Sequence, residues 1–156
     1  MDKKSALRAF FRFVNRFIVV PVFQIGRGAV ISNSLTGDIM VLGITGRKTG
    51  KIRYTPVSYA QIGPMIYCYQ GKEMKGQWYL NLLANPKVEV LLPEGHFSGH
   101  GEPVHDTAEK LQAIRQILLC SGLNRSMYGF DPKKAPDEIV QEKTKDIPVI
   151  RILLDS

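Results

Sequence analysis

Between Ile44 and Pro56 the chain reads ITGRKTGKIRYTP. Arg47, Lys48 and Arg53 stand among Gly46, Thr49 and Gly50, so fixed cations and backbone N–H groups can converge on one anion. Glycine admits positive φ and close approach of the backbone. Successive amides can form an anion-binding concavity, and arginine offers forked donors matched to phosphate or carboxylate. The chemistry implied is retention of a polyanion. A basic β-hairpin turn that keeps the surface soluble accounts for the same residues equally well. The GxxxxGK(S/T) spacing of a P-loop is absent and no helix pattern follows. Tyr54, Pro56, Val57 and Tyr59 read instead as the next strand.

Other reactive side chains form weaker groupings. His96, His100 and His105 lie close together, and a spacing of four puts His96 and His100 on one face of a strand. No carboxylate or cysteine completes a ligand set, so no metal site is expected. Cys68 and Cys120 are far apart and form no CxxC pair, which fits buried thiols in a reduced, intracellular protein.

These residues need elements to hold them. Leu7, Phe10, Phe11, Val14, Phe17 and Ile18 recur at helical spacing, which predicts an amphipathic helix from about Ser5 to Phe23. Lys3, Lys4, Arg8, Arg12 and Arg16 make it basic. Such a helix either packs on its own domain or lies in the headgroup plane of a membrane. Its apolar run Phe17–Phe23 is too short to span a bilayer and contains Pro21. No secretory cleavage pattern follows it.

Beyond a turn-rich stretch, Asp38–Thr45 and Arg53–Tyr59 predict a strand pair flanking the basic loop, and Met65–Tyr69 a third strand. The polar loop QGKEMKGQ brings Gly71 and Lys72 toward the first basic cluster. Gln77–Asn85 has helical spacing and stops at Asn85-Pro86. Strands follow at Val88–Leu92 and Phe97–Val104, then a helix from Asp106 or Thr107 to about Ser121, with Thr107 as its N-cap. The segment 124–142 reads as irregular and Pro148–Leu154 as a closing strand. Short strands in near-continuous order with a helix after the third predict a small antiparallel β-barrel with helices at its ends.

At 156 residues the chain fits one barrel domain, 24–156, with a helical appendage, 1–23. A formal charge of +7 favours acidic partners: nucleic acid, an anionic membrane surface, or a phosphorylated or carboxylated small molecule. Nucleic acid ranks last, because the basic residues are interleaved with too few aromatics for a stacking platform.

GRKTGKIRYTP, followed after about twenty residues by WYLNLLANPKVEV, resembles the deazaflavin-dependent (coenzyme F420) nitroreductase and quinone reductase family. Gly46, Arg47, Lys48, Thr49, Gly50, Arg53 and Pro56 match the first pattern of that family. Trp78, Tyr79, Asn81, Leu82, Ala84, Asn85 and Pro86 match the second. The resemblance implies a split β-barrel related to the flavin-binding pyridoxamine phosphate oxidases. It implies that the basic loop holds the phosphate and glutamate tail of the deazaflavin, with Gly71 and Lys72 assisting, and that Trp78, Tyr79 and Asn81 border the ring. Trp78 reads otherwise as plain core, and Asn81 as a cap on a neighbouring strand. The loop before Trp78 lacks the Ser-Lys-Gly-Gly run of well-known members. Of their C-terminal tyrosine cluster only Tyr128 is matched, beside Met127 and Phe130. Tyr128 is then the candidate proton donor, or a loop tyrosine covering apolar surface.

The expected function is transfer of a hydride from reduced coenzyme F420 to a small electrophile: a quinone, a nitroaromatic or an activated enone. The alternatives are an FMN-dependent reductase and a non-catalytic protein holding a lipid or haem in its barrel. A cytoplasmic location, peripheral attachment to the inner face of the cell membrane through residues 3–20, and a homodimer like those of related barrels complete the expectation.

Overall fold

The computed structural model describes residues 3–33, 35–71 and 76–156, with the side chains of Lys4, Arg8, Phe11 and Asn124 outside that description. The N-terminal helix forms as expected and runs on through Pro21. It comprises α1 (Lys3–Val14), a π-helical turn (Asn15–Val19) and α2 (Val20–Gln24). Pro21 is tolerated because it stands in the first turn of α2, where a missing N–H costs little.

Six strands follow: β1 (Ile39–Thr45), β2 (Ile52–Ile62), β3 (Met65–Tyr69), β4 (Lys87–Leu92), β5 (Gly95–Pro103) and β6 (Val149–Leu154). They close into an antiparallel barrel in the order β1-β2-β3-β6-β5-β4. The other helices are α3 (Gln77–Ala84), α4 (Thr107–Leu119) and α5 (Asp137–Thr144). Short strands leave edges that must be covered or paired, and closure does this.

Strand alternation divides the apolar residues between two faces. Met40, Leu42 and Ile44 of β1 face inward with Val88, Val90, Ile150 and Ile152, and Leu82 of α3 plugs one end. Gly101 of β5 makes room for that plug, since a Cβ there would sit 2.9 Å from Leu82 Cδ1. The interior is therefore a packed core. A lipid or haem held inside the barrel, one of the expected alternatives, finds no room there.

Two layers coat the outer wall. Val20 and Phe23 of α2 pack on Val41 and Leu91, so the end of the N-terminal helix is integral to the barrel. On the other flank Ala113, Ile114, Ile117 and Leu118 of α4 and Val140 of α5 cover Ala60, Tyr67 and Val149. Asp106, not Thr107, caps α4: its Oδ1 accepts the Glu109 N–H at 2.8 Å. Glu109 then receives Arg151 Nη1 at 2.9 and 3.0 Å and the Tyr67 hydroxyl at 2.8 Å, which pins α4 to the sheet. Helix α5 begins inside the stretch expected to be irregular, 124–142, and runs two residues past its end. Its register rests on two buried side chains, Val140 and Thr144.

Candidate functional site

Thr45 pairs with Ile52, so Gly46–Lys51 form the turn between β1 and β2. Gly46 N–H donates to Lys51 O and Gly50 N–H to Gly46 O, both at 2.8 Å. Gly50 takes φ +69°, the left-handed region that favours glycine. Gly46 is tightly placed: a Cβ there would lie 2.8 Å from Thr49 Oγ1 and 3.3 Å from Lys51 O, so the turn would have to shift to admit one. Thr49 Oγ1 in turn accepts the Lys51 N–H at 3.3 Å.

Arg47 is turned back onto α3. Its backbone N–H donates to Asn81 Oδ1 at 3.2 Å and its Nη1 to the same oxygen at 2.8 Å. Nη1 and Nη2 both reach Gln77 Oε1 at 3.2 Å. Asn81 is only 7% exposed, so its carbonyl is committed to this latch. Arg47 and Asn81 thus position the loop, with the Asn81 carbonyl spent on Arg47. Lys48, Lys51 and Arg53 are exposed and have no side-chain partner among the described residues. The backbone N–H groups of Lys48 and Thr49 likewise meet no acceptor there. The turn and the start of β2 thus offer three unpaired cations and two open amides, a donor set able to cradle an anion.

Lys51 and Gln77 were not among the candidates drawn from the sequence. Lys51 adjoins Gly50 in the same loop, and Gln77 lies one helical turn before Asn81, the spacing that puts both on one face of α3.

A gap in the wall borders the cradle. Strand β3 pairs with β2 only through Tyr59–Ile62, so Ile52–Ser58 has β1 on one edge and no strand on the other. Pro56 falls in this half, where a strand with an open edge tolerates a residue lacking an N–H. Across the gap the chain leaves β3 through Gln70 and Gly71. Lys72 lies outside the described residues. Two buried polar atoms beside this exit, Gln70 Oε1 and the Tyr128 hydroxyl, make no well-formed hydrogen bond among the described residues, although the Tyr69 hydroxyl lies close enough to Tyr128 to perturb it. A Cβ on Gly71 would stand 3.9 Å from the Tyr128 oxygen. Burial raises the Tyr128 pKa above the ordinary phenol value. The Tyr69 ring meets the Tyr128 ring edge-on at 6.1 Å between centroids, and burial raises the Tyr69 pKa too.

Trp78 packs against the barrel interior and meets Tyr79 edge-to-face at 6.4 Å. Tyr79 lies about two residues' rotation from both Gln77 and Asn81 on α3 and is buried on the face away from the latch. Its ring lines a separate cavity with α4 and α5. The histidines are engaged elsewhere: His96 Nε2 lies 3.0 Å from Phe23 O, and His100 Nδ1 3.2 Å from Asp155 Oδ1.

The donor set, three cations and two amides on one turn and the strand that follows it, fits a polyanionic tail. Comparison with known proteins points the same way. The model of the F420H(2)-dependent quinone reductase family matches residues 18–130. An F420H(2)-dependent quinone reductase of Mycobacterium tuberculosis is 32% identical over 89 residues, 55% of this chain and 60% of that protein. The chain thus spans about 60% of the length of the curated relatives it matches. Among solved structures, a conserved hypothetical protein of Mycobacterium tuberculosis superposes with a TM-score of 0.58 at 21% identity, covering 85% of this chain and 79% of that one. A Listeria innocua protein named for pyridoxamine 5′-phosphate oxidase gives 0.51 at 14% identity, covering 76% and 85%. At these identities the likeness is one of fold: the barrel is of the split type expected from the sequence.

Proposed function

Because the chain belongs to the F420H(2)-dependent quinone reductase family, an enzyme family whose model matches residues 18–130, we propose that it reduces a small electrophile at the expense of reduced coenzyme F420. A quinone is the first candidate, ahead of nitroaromatics and activated enones. The carrying observation is the cradle: Lys48, Lys51 and Arg53 without partners, beside open amides, on a loop that Arg47 latches to α3. A tail bearing a phosphate and several carboxylates uses all of these donors. FMN, with one short phosphate arm, leaves most of them idle.

When bound, the reduced deazaflavin supplies a hydride to the substrate. The protein's own contributions follow from its side chains. Lys48, Lys51, Arg53 and the Lys48 and Thr49 amides bind the tail, with Gly46 and Gly50 shaping the loop. Lys72 joins them in this reading, from a loop that Gly71 opens. The open half of β2 around Pro56 and the Trp78 ring border the tricycle and exclude water. Tyr128 holds a proton on its hydroxyl, and the raised pKa keeps it there at neutral pH, ready to serve a product anion. Tyr79 stands on the far face of α3 and acts only through that helix.

The N-terminal helix fits a lipid-soluble quinone. Leu7, Phe10, Phe13 and Phe17 are each more than half exposed, and Arg12 and Arg16 accompany them. Among the described residues no helix is long and apolar enough to cross a membrane, so the attachment proposed is peripheral. Removing the residues before Pro21 should abolish sedimentation with anionic vesicles; unchanged sedimentation refutes the attachment.

The cofactor is tested by titrating the protein with F420 and, in parallel, with FMN, following Trp78 fluorescence. Saturable quenching by F420, weakened about tenfold in Arg53→Ala as expected for one exposed charge-assisted contact, supports the reading. Quenching by FMN alone, or by neither, overturns it.

A further inference from the structure

On the face of α3 away from the latch lies a cavity of about 360 Å³, enclosed by the end of β5, helices α4 and α5, and the start of β6. Its floor is apolar: Val104, Ile114 and Val149 are 7%, 2% and 1% exposed. Its polar lining combines the neutral Thr107, Gln141 and Thr144 with basic side chains. Lys110, Lys145 and His105 line it and no aspartate or glutamate does.

Lys110 is half-buried, whereas Lys145 and His105 are exposed. Burial lowers its pKa, so its ammonium is partly stripped of water, and the nearby Asp146 only partly offsets this. Among the described residues it has no carboxylate at ion-pair distance. One of its three N–H groups donates to Lys145 O at 3.1 Å, which leaves two. The Lys145 ammonium is held outward by Glu142 at 3.2 Å. The Tyr79 hydroxyl has no hydrogen-bond partner among the described residues and adds a neutral donor.

We propose that this cavity is a second binding site, distinct from the anion cradle, for a small amphipathic monocarboxylate whose apolar body lies on Val104, Ile114 and Val149 and whose carboxylate meets Lys110. A neutral apolar guest would cover the ammonium without satisfying it. A polyphosphate would set several charges over an apolar floor served by one inner cation. A cavity at the lower end of the usual range for ligand pockets calls for a compact guest.

The test is calorimetric titration of the full chain with octanoate, in the absence of F420, with octan-1-ol as the uncharged control. The site is supported by saturable binding of one octanoate, weakened at least about tenfold in Lys110→Met and restored to within about threefold in Lys110→Arg, with octan-1-ol at least about tenfold weaker. Arg53→Ala should leave octanoate binding unchanged, because the cradle lies on the other face of α3. Any of four results overturns the proposal: no saturable binding, equal affinity in Lys110→Met, equal affinity for octan-1-ol, or loss of binding in Arg53→Ala. Since the titration uses no F420, its outcome is independent of the cofactor assignment.

Discussion

Asn81 joins the barrel's end helix to the loop that carries the cations, and replacing it by alanine separates the two. Asn81→Ala deletes the acceptor of two bonds, from the Arg47 N–H at 3.2 Å and from Arg47 Nη1 at 2.8 Å. A neutral backbone bond contributes about 1 kcal/mol, and one from a charged donor about 1.5–3 kcal/mol. The guanidinium keeps Gln77 and is exposed, so the second figure belongs at or below its lower end. A net loss of about 2 kcal/mol follows, or roughly 4–8 °C in Tm for a chain of this size. The freed loop must also be ordered on binding, which weakens F420 by about fivefold. Asn81→Asp separates acceptor from amide: it keeps the oxygen, gains an ion pair with Arg47, and should melt within about 2 °C of the parent. Its added charge beside the cradle should still weaken F420. Thermal melts by circular dichroism and fluorescence titrations on the same samples decide the matter. A Tm for Asn81→Ala within about 1 °C of the parent, or an Asn81→Asp protein as unstable as Asn81→Ala, would refute the latch.

Three further perturbations test other parts of the structure. Tyr128→Phe removes a buried hydroxyl for which the described residues offer no well-formed hydrogen bond, so Tm should hold or rise while quinone turnover falls by about a hundredfold; a drop in Tm would show the hydroxyl to be structural. Gly37 adopts φ +83° and a Cβ there would run into the backbone of Cys120 and Ser121, so Gly37→Ala should cost about 3 kcal/mol or more in urea unfolding; a cost below about 1 kcal/mol would refute the contact. The hydrogen bond from Tyr54 to Glu89, and then burial, raise the Tyr54 pKa from 10.0 to about 12. The folded protein keeps this proton where the unfolded chain has lost it, so the associated stability is intact below pH 10 and is lost as pH rises through about 12. Melting temperatures across that window should fall less steeply in Tyr54→Phe, and parallel profiles would count against it.

The barrel was legible in the sequence because its strands are short runs of β-branched and aromatic residues separated by glycine, proline and polar turns, and five of the six follow one another with only α3 interposed. Although Lys51 is not singled out, the basic cluster around it was legible because its charges are local, Lys48 in the turn after Thr45 and Arg53 at the start of β2. The latch was not, because Arg47 and Asn81 are separated by 34 residues and their pairing depends on how α3 docks. Asn81 alone offers a capping amide or a ligand-facing one, and only packing chooses. Helix α5 was missed because an eight-residue helix with two buried side chains carries almost no periodicity. Threonine and aspartate compete on nearly equal terms as N-caps, so the sequence does not separate Thr107 from Asp106 as the cap of α4. The backbone entry, extended at Asp106 with ψ 125°, decides between them.

The filling of the barrel by Leu82 and the strand side chains, with Gly101 relieved of a Cβ to admit the plug, bears on how such a protein diversifies. In the proposed reading the residues that meet the cofactor tail, Lys48, Lys51 and Arg53, are exposed and stand apart from the inward side chains that fill the barrel. Substitutions at these three positions can retune ligand preference without drawing down folding stability, so a library confined to Lys48, Lys51 and Arg53 should retain a high folded fraction while its binding preferences spread widely.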